Sequence, residues 1–315
     1  MEEKVKYCFG IDVGGTTVKC GLFTEEGELL DKWEIPTNKE NSGGMIPQEI
    51  ANTVKEKIQE KSLQREDILG LGIGLPGPVD SKGIVNGCAN LGWGVLNIVE
   101  IMQTLTGFRV LAGNDANVAA LGEMWMGGAK GFDNIVMITL GTGVGGGIIV
   151  DGKMIAGSIG AGGEIGHMLI NSEETAVCGC GGRGHLEQYT SATGVVRLAK
   201  QLLIETEMPS MLRGVMNFTA KDVFDSAKEN DELALAVVDL FGQYLAQGLG
   251  LIAAVVDPEV FVIGGGMARA GGIIIDVVKR YYNRNLFPPI RDKKFCFAEL
   301  GNDAGIYGCA KLLIG

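Results

Sequence analysis

FGIDVGGTTVKCGLFTEEGELL, residues 9–30, is an apolar strand that delivers a Gly/Thr turn into a second strand. The same shape returns at IVMITLGTGVGGGIIVDGKMIAG, residues 135–157. Two copies of one strand-turn-strand unit in 315 residues read as a degenerate internal duplication, with one phosphate-facing hairpin in each of two domains. Between them, strands and helices alternate. PQEIANTVKEKIQEKS carries Ile50, Val54 and Ile58 at four-residue spacing, which predicts an amphipathic helix opened by Pro47. LGLGIGLPGPVD predicts a buried strand ending in a turn, NIVEIMQTLTG a helix, VLAGND a strand and ANVAALGEMWMG a helix. The repeat puts the domain boundary near residues 115–120. The first domain is then 1–116, with the apolar helix DAGIYGCAKLLIG, about 302–315, packing back on it, and the second is 117–301.

Hydrophobic residues make up 46% and charged residues 21% of the chain, as in a globular enzyme rather than a disordered segment. The fifty glycines stand apart. They are about one residue in six against a usual ~7%, so backbone must often approach something closely. A net charge of −11 argues against a nucleic-acid partner, which requires a basic face. The N-terminus MEEKVKYCFGID lacks a signal-peptide apolar run, and the longest apolar stretch, residues 233–256, is interrupted by Asp239, Gln243 and Gln247. No membrane association and a cytoplasmic location are expected. Thiols stay reduced there, so clustered cysteines read as metal-binding or catalytic before they read as disulfides.

Three motifs carry candidate chemistry. In DVGGTTVK, the strand-borne Asp12 is placed to hold Mg²⁺ through water. Gly14, Gly15, Thr16 and Thr17 offer N–H groups and hydroxyls to a phosphate, and Lys19 closes the stretch. A tight hairpin would explain one such turn; LGTGVGGG at 140–147 and VIGGGMARAGG at 262–272 make three, which suits a nucleotide held between two domains. None is a P-loop or a dinucleotide fingerprint. In GNDAN, residues 113–117, Asp115 stands at a strand's carboxyl end, either as a helix N-cap or as the general base of a phosphoryl transfer.

In the third motif both histidines of the chain meet two of its seven cysteines: His167, Cys178, Cys180 and His185 give H-x10-C-x-C-x4-H. Four N/S ligands close a tetrahedral site, so the expected ion is a structural Zn²⁺ that pins the loop carrying Glu164 and Glu187. Trp93 reads as a packing anchor and Cys8, Cys20, Cys88, Cys296 and Cys309 as buried thiols.

DVGGTTVKCGL, GLPGPVD, ANLGW, GNDANVAALGE, LGTGVGGGIIVDGK, GGEIGHM, CGCGGRGHLE and VIGGG fall in one order over nearly the whole chain. Together they resemble the ROK family (repressors, open reading frames and kinases), and within it the bacterial ATP-dependent glucokinases. The resemblance implies an α/β protein of the actin-like (sugar kinase/ribonuclease H-like) ATPase fold, two domains with a central nucleotide and sugar cleft, assembled as a homodimer or homotetramer. It implies ATP-dependent phosphorylation of a hexose, glucose at the 6-hydroxyl in the first instance, with Asp115 as the base. It further implies sugar contacts by Gly77, Asn90, Asn114, Asp115, Glu164, His167 and Glu187, and nucleotide contacts by Gly14, Gly15, Thr16, Thr17, Thr142, Gly143, Gly265 and Gly266. Where the family generally has a third cysteine ligand this chain has His185. N-acetylmannosamine, fructose or allose are the alternative substrates, and a catalytically silent sugar-binding module is the alternative class. Family repressors carry an N-terminal helix-turn-helix with no counterpart before Asp12.

Overall fold

A computed structural model describes residues 5–284 and 286–314, so residues 1–4 and 315 of the first expected domain lie outside the described residues. The opening hairpin is the core of the first sheet. β1 (Tyr7–Val13) and β2 (Thr17–Thr24) form the strand-turn-strand unit read from the sequence, and β3 (Leu29–Pro36) extends it into an antiparallel meander. β4 (Ile68–Leu75) lies parallel to β1, and β7 (Val110–Asn114) parallel to β4, giving the order β3-β2-β1-β4-β7. A hairpin that the periodicity did not indicate, β5 (Ile84–Cys88) with β6 (Trp93–Asn97), precedes the third helix.

Period-two alternation sorts β1 between two faces. Phe9, Ile11 and Val13 join Val18, Leu22, Leu71 and Ile73 against Ile46, Ile50 and Val54 of α2 (Ile46–Glu60), which follows the four-residue α1 (Glu40–Gly43). Ile98 and Met102 of α3 (Ile98–Thr106) complete that layer. Cys8 and Phe23 face the other way, onto Ile306, Ala310 and Leu313 of α10 (Ala304–Ile314), which also packs on α4 (Asp115–Met126). The glycine-rich strands have their reason here: a Cβ on Gly10 or Gly72 would collide with the α10 backbone at Ile306 or Cys309.

A second five-stranded sheet has the order β10-β9-β8-β11-β12, which repeats that of the first. Its strands are β8 (Ile135–Leu140), β9 (Val144–Val150), β10 (Lys153–Met154), β11 (Val260–Gly264) and β12 (Lys294–Phe297). The remaining helices are α5 (Glu187–Thr190), α6 (Ala192–Glu205), α7 (Ala220–Lys228), α8 (Glu232–Val256) and α9 (Gly272–Tyr282). α8 starts where the Asp231 side chain accepts from Ala234 N (2.9 Å), and it packs against α5, α6, α7 and α9. By length and composition it is the one helix among the described residues apolar enough to cross a membrane, yet Val237, Phe241, Leu245 and Leu249 are buried. Gln243 and Gln247 lie on its exposed face.

The chain divides into two compact units. The first comprises residues 1–133, 147–163 and 299–315, the second 134–146 and 164–298. This differs from a boundary at 116/117. α4 belongs with the first unit because α10 packs along it, a long-range pairing that no local pattern encodes.

Candidate active site

In the first unit the candidates gather at the ends of β1 and β7. Asp12 pairs across the β1–β2 ladder with Lys19, whose Nζ donates to Asn302 O (3.1 Å). The turn between the two strands is closed by Gly14 N to Thr17 O (3.0 Å). It is held from outside by Thr37, which donates from N to Thr16 O (2.9 Å) and from Oγ1 to Gly14 O (2.7 Å). Burial pushes the Asp12 carboxyl up to about 6, Lys19 opposing it and the charge of Asp115 adding to it.

Asn114, nearly buried, is the N-cap of α4: its Oδ1 accepts from Asn117 N (3.1 Å) and its Nδ2 donates to Gly77 O (3.2 Å). Capping thus falls to Asn114. Asp115 follows as the first helical residue, with Oδ1 accepting from Ala116 N (2.7 Å) at the positive end of the helix dipole. Asn90 is exposed on the short turn Ala89–Leu91. The Cys88 thiol beside that turn is raised by burial, and Asp115 is among the charges acting on it. Trp93 is 7% exposed and donates Nε1 to Gly43 O (3.0 Å), a packing anchor as read. Cys8, Cys20, Cys88 and Cys309 are buried, whereas Cys296 is half-buried because β12 is an edge strand.

The raised Asp12 carboxyl has a stability consequence. A carboxyl whose folded value lies above its unfolded one favours the protonated form in the fold, so its contribution falls as pH rises from about 3.8 to about 6 and stays unfavourable above. Asp12→Asn is therefore expected to stabilise the nucleotide-free protein at pH 7.5 by up to about 3 kcal/mol, and by clearly less at pH 5. Urea unfolding at the two pH values checks this. An equal or negative effect at pH 7.5 would contradict it.

In the second unit, parallel pairing of β8 with β11 aligns the other two glycine turns. Gly265 takes φ +83°, and a Cβ there would collide with Leu140 O, the residue entering Gly141-Thr142-Gly143; both the conformation and the close approach require glycine. The same turn rests on the start of α6, where Ala192 N donates to Gly141 O (2.8 Å) and Thr193 Oγ1 to Thr142 O (3.0 Å). Glu187, first residue of α5, accepts from Val144 N at Oε2 (2.9 Å). Gly266 has open space at its Cβ position.

His167, Cys178, Cys180 and His185 converge, their ligand atoms all within 4.8 Å of one another. His185 Nδ1 is 3.2 Å from Cys180 Sγ and His167 Nδ1 4.0 Å from Cys178 Sγ, close to the ~3.5 Å edge of a tetrahedron around zinc. Glu164 Oε2 is 4.0 Å from His167 Nε2, on the ring nitrogen opposite the one that faces Cys178, and Glu187 Oε1 is 3.7 Å from Cys178 Sγ. An N₂S₂ donor set in this arrangement fits Zn²⁺.

Two features escaped the sequence reading. Glu123 is fully buried and accepts from Gly128 N, Glu299 N and Leu300 N, each at 2.9 Å, tying the end of α4 to the chain entering α10. A lone acid inside the apolar run ALGEMWM was its signal. Lys39 reaches Gly15 of the first turn from a loop, and sequence distance hid it.

Two sheets of matching strand order, each led by a strand into a glycine turn, with one acid near the end of β1 and another just after β7, define an actin-like sugar kinase. The chain belongs to the ROK family, which it matches over residues 8–315. It is 40% identical over 310 residues to a glucokinase of Halalkalibacterium halodurans, covering 96% of this chain and 93% of that one. To a Thermotoga maritima glucokinase it is 34% identical, with 96% of each chain covered. The solved structure of a ROK family glucokinase from Streptomyces griseus in complex with glucose and AMPPNP matches with a TM-score of 0.70 at 30% identity over 98% of each chain.

Proposed function

We propose that this chain is a glucokinase that transfers the γ-phosphoryl group of ATP to the 6-hydroxyl of glucose. The observation that carries the reading is full-length kinship to glucokinases, together with an acid, Asp115, that stands at the carboxyl end of β7 beside a cap supplied by Asn114. In the reaction Asp115 takes the 6-hydroxyl proton as that oxygen attacks the γ-phosphorus, and the bond to the bridging oxygen breaks to release ADP. Gly77, Asn90, Asn114, Glu164, His167 and Glu187 would hold the sugar hydroxyls. Gly14, Gly15, Thr16, Thr17, Lys19, Thr142, Gly143, Gly265 and Gly266 would hold the nucleotide. Asp12 would hold Mg²⁺ through water, and the ion supplies charge neutralisation at the transferring phosphoryl.

Zn²⁺ on His167, Cys178, Cys180 and His185 has a structural part, fixing the loop between Glu164 and Glu187. A cytoplasmic glycolytic enzyme that assembles as a homodimer or homotetramer, with no nucleic-acid or membrane partner, is the reading that family kinship and acidic charge support.

The test is ADP release with MgATP across glucose, mannose, fructose, allose, N-acetylglucosamine and N-acetylmannosamine. Glucose is expected to give the highest kcat/KM. Another hexose in front overturns the substrate, and binding of a sugar without any ADP release overturns the kinase in favour of a silent binding module.

A further inference from the structure

The metal loop enters through residues 171–176 and leaves through α5, and a second set of side chains ties these two segments together. Tyr189, 3% exposed, donates its hydroxyl to Glu174 Oε2 (2.6 Å) and accepts from Asn171 Nδ2 (2.8 Å). Its ring stacks on Tyr244 of α8, with centroids 4.0 Å apart and planes at 28°. Arg197 of α6 pairs with Glu174 Oε2 at 2.9 Å, lies over the Tyr189 ring, and donates to Gln188 O (3.1 Å). Glu174 Oε1 accepts from Ala176 N (2.9 Å), Gln188 Nε2 donates to Ala176 O (3.0 Å), and Gln188 Oε1 accepts from His185 N (3.1 Å). Burial and the Glu174 charge push the Tyr189 hydroxyl up to about 12, so it stays a donor at every working pH. Such a charge-assisted set loses most when one member is removed and its partners are left unpaired.

We infer that Tyr189, Glu174 and Arg197 form a clamp that closes the base of the metal loop independently of the ion, and so position both the Cys180–His185 ligand pair and Glu187. These are positioning residues: none of them lies in the ligand set, and each acts through the segment it ties. The consequence for sugar binding rests on the reading of Glu187 as a hexose contact. The consequence for the metal does not. Ion and clamp secure the same fifteen or so residues from two ends, so loss of one should raise dependence on the other.

The test uses the purified full chain loaded with one zinc. Tyr189→Phe, which deletes one hydroxyl, is expected to release zinc to a chromophoric chelator about tenfold faster than wild type and to raise the glucose KM about fivefold, with kcat and the ATP KM within twofold. After zinc removal, the KM increase in Tyr189→Phe should exceed the product of the two separate effects. Glu174→Gln, which keeps a hydrogen-bond partner for Tyr189 but drops the charge facing Arg197, should fall between the two proteins in release rate. Zinc release at the wild-type rate in both variants overturns the clamp. Faster release with strictly multiplicative KM effects overturns its role in positioning Glu187. If Glu187→Gln leaves the glucose KM unchanged, the sugar contact itself is wrong, and the release rates still decide the clamp.

Discussion

Asp115→Asn is expected to lower kcat about 10³-fold while the glucose dissociation constant changes less than about threefold. The amide is isosteric and still offers hydrogen bonds to a sugar hydroxyl, but it cannot take the proton that the attacking 6-oxygen must shed. The fold should not suffer, because the α4 cap is Asn114 Oδ1 on Asn117 N, and Asn114 is also the residue that holds Gly77 O. Removing the Asp115 charge relieves its pressure on Asp12, so the melting temperature should stay level or rise slightly. Turnover and isothermal titration with glucose, measured on the same preparation, check this. A variant that keeps more than about a tenth of wild-type kcat removes Asp115 from the chemistry. A variant that loses glucose binding as well makes it a contact rather than a base.

Cys178→Ala should take zinc from one per chain to below about a tenth and raise the glucose KM by ten- to a hundredfold. Cys178 is 4% exposed, and its Sγ stands between His167 Nδ1 and Glu187 Oε1. Its loss opens the ligand set and removes the neighbour of the Glu187 carboxylate together. Because Glu187 also accepts from Val144 N beside the Thr142 turn, a smaller rise in the ATP KM should accompany the larger one for glucose. Cys296→Ala, on β12 and apart from the cluster, is the matched control and should retain the metal. Elemental analysis with steady-state kinetics reads both, and full zinc occupancy in Cys178→Ala would refute the metal assignment.

The local patterns that survive into the fold are those in which neighbouring residues do the work. The strand-turn-strand unit of β1 and β2 and the Pro-opened α2 both follow from periodicity and turn residues a few positions apart. The convergence of the two His and two Cys was legible for the same reason: four such residues lie within nineteen positions, and a Gly-rich knuckle needs little beyond itself to bring them together. The hairpin of β5 and β6 was not legible, because its strands are short and carry no clean alternation.

Sequence alone determined the repeated strand-turn-strand units, the glycine turns, the His/Cys cluster and the presence of Asp12 and Asp115, since each is a statement about residue type at short spacing. Tertiary structure decided what those residues are free to do. It gave the α4 cap to Asn114 rather than Asp115, assigned α4 to the first unit through α10, and buried Glu123 against backbone N–H groups some 176 positions away. It also drew Tyr189, Glu174 and Arg197 into one network behind the loop of His167, Cys178, Cys180 and His185. The reason is physical. A hydrogen bond or a burial event is fixed by distance in space, and only chain folding brings together groups that sequence separation keeps apart.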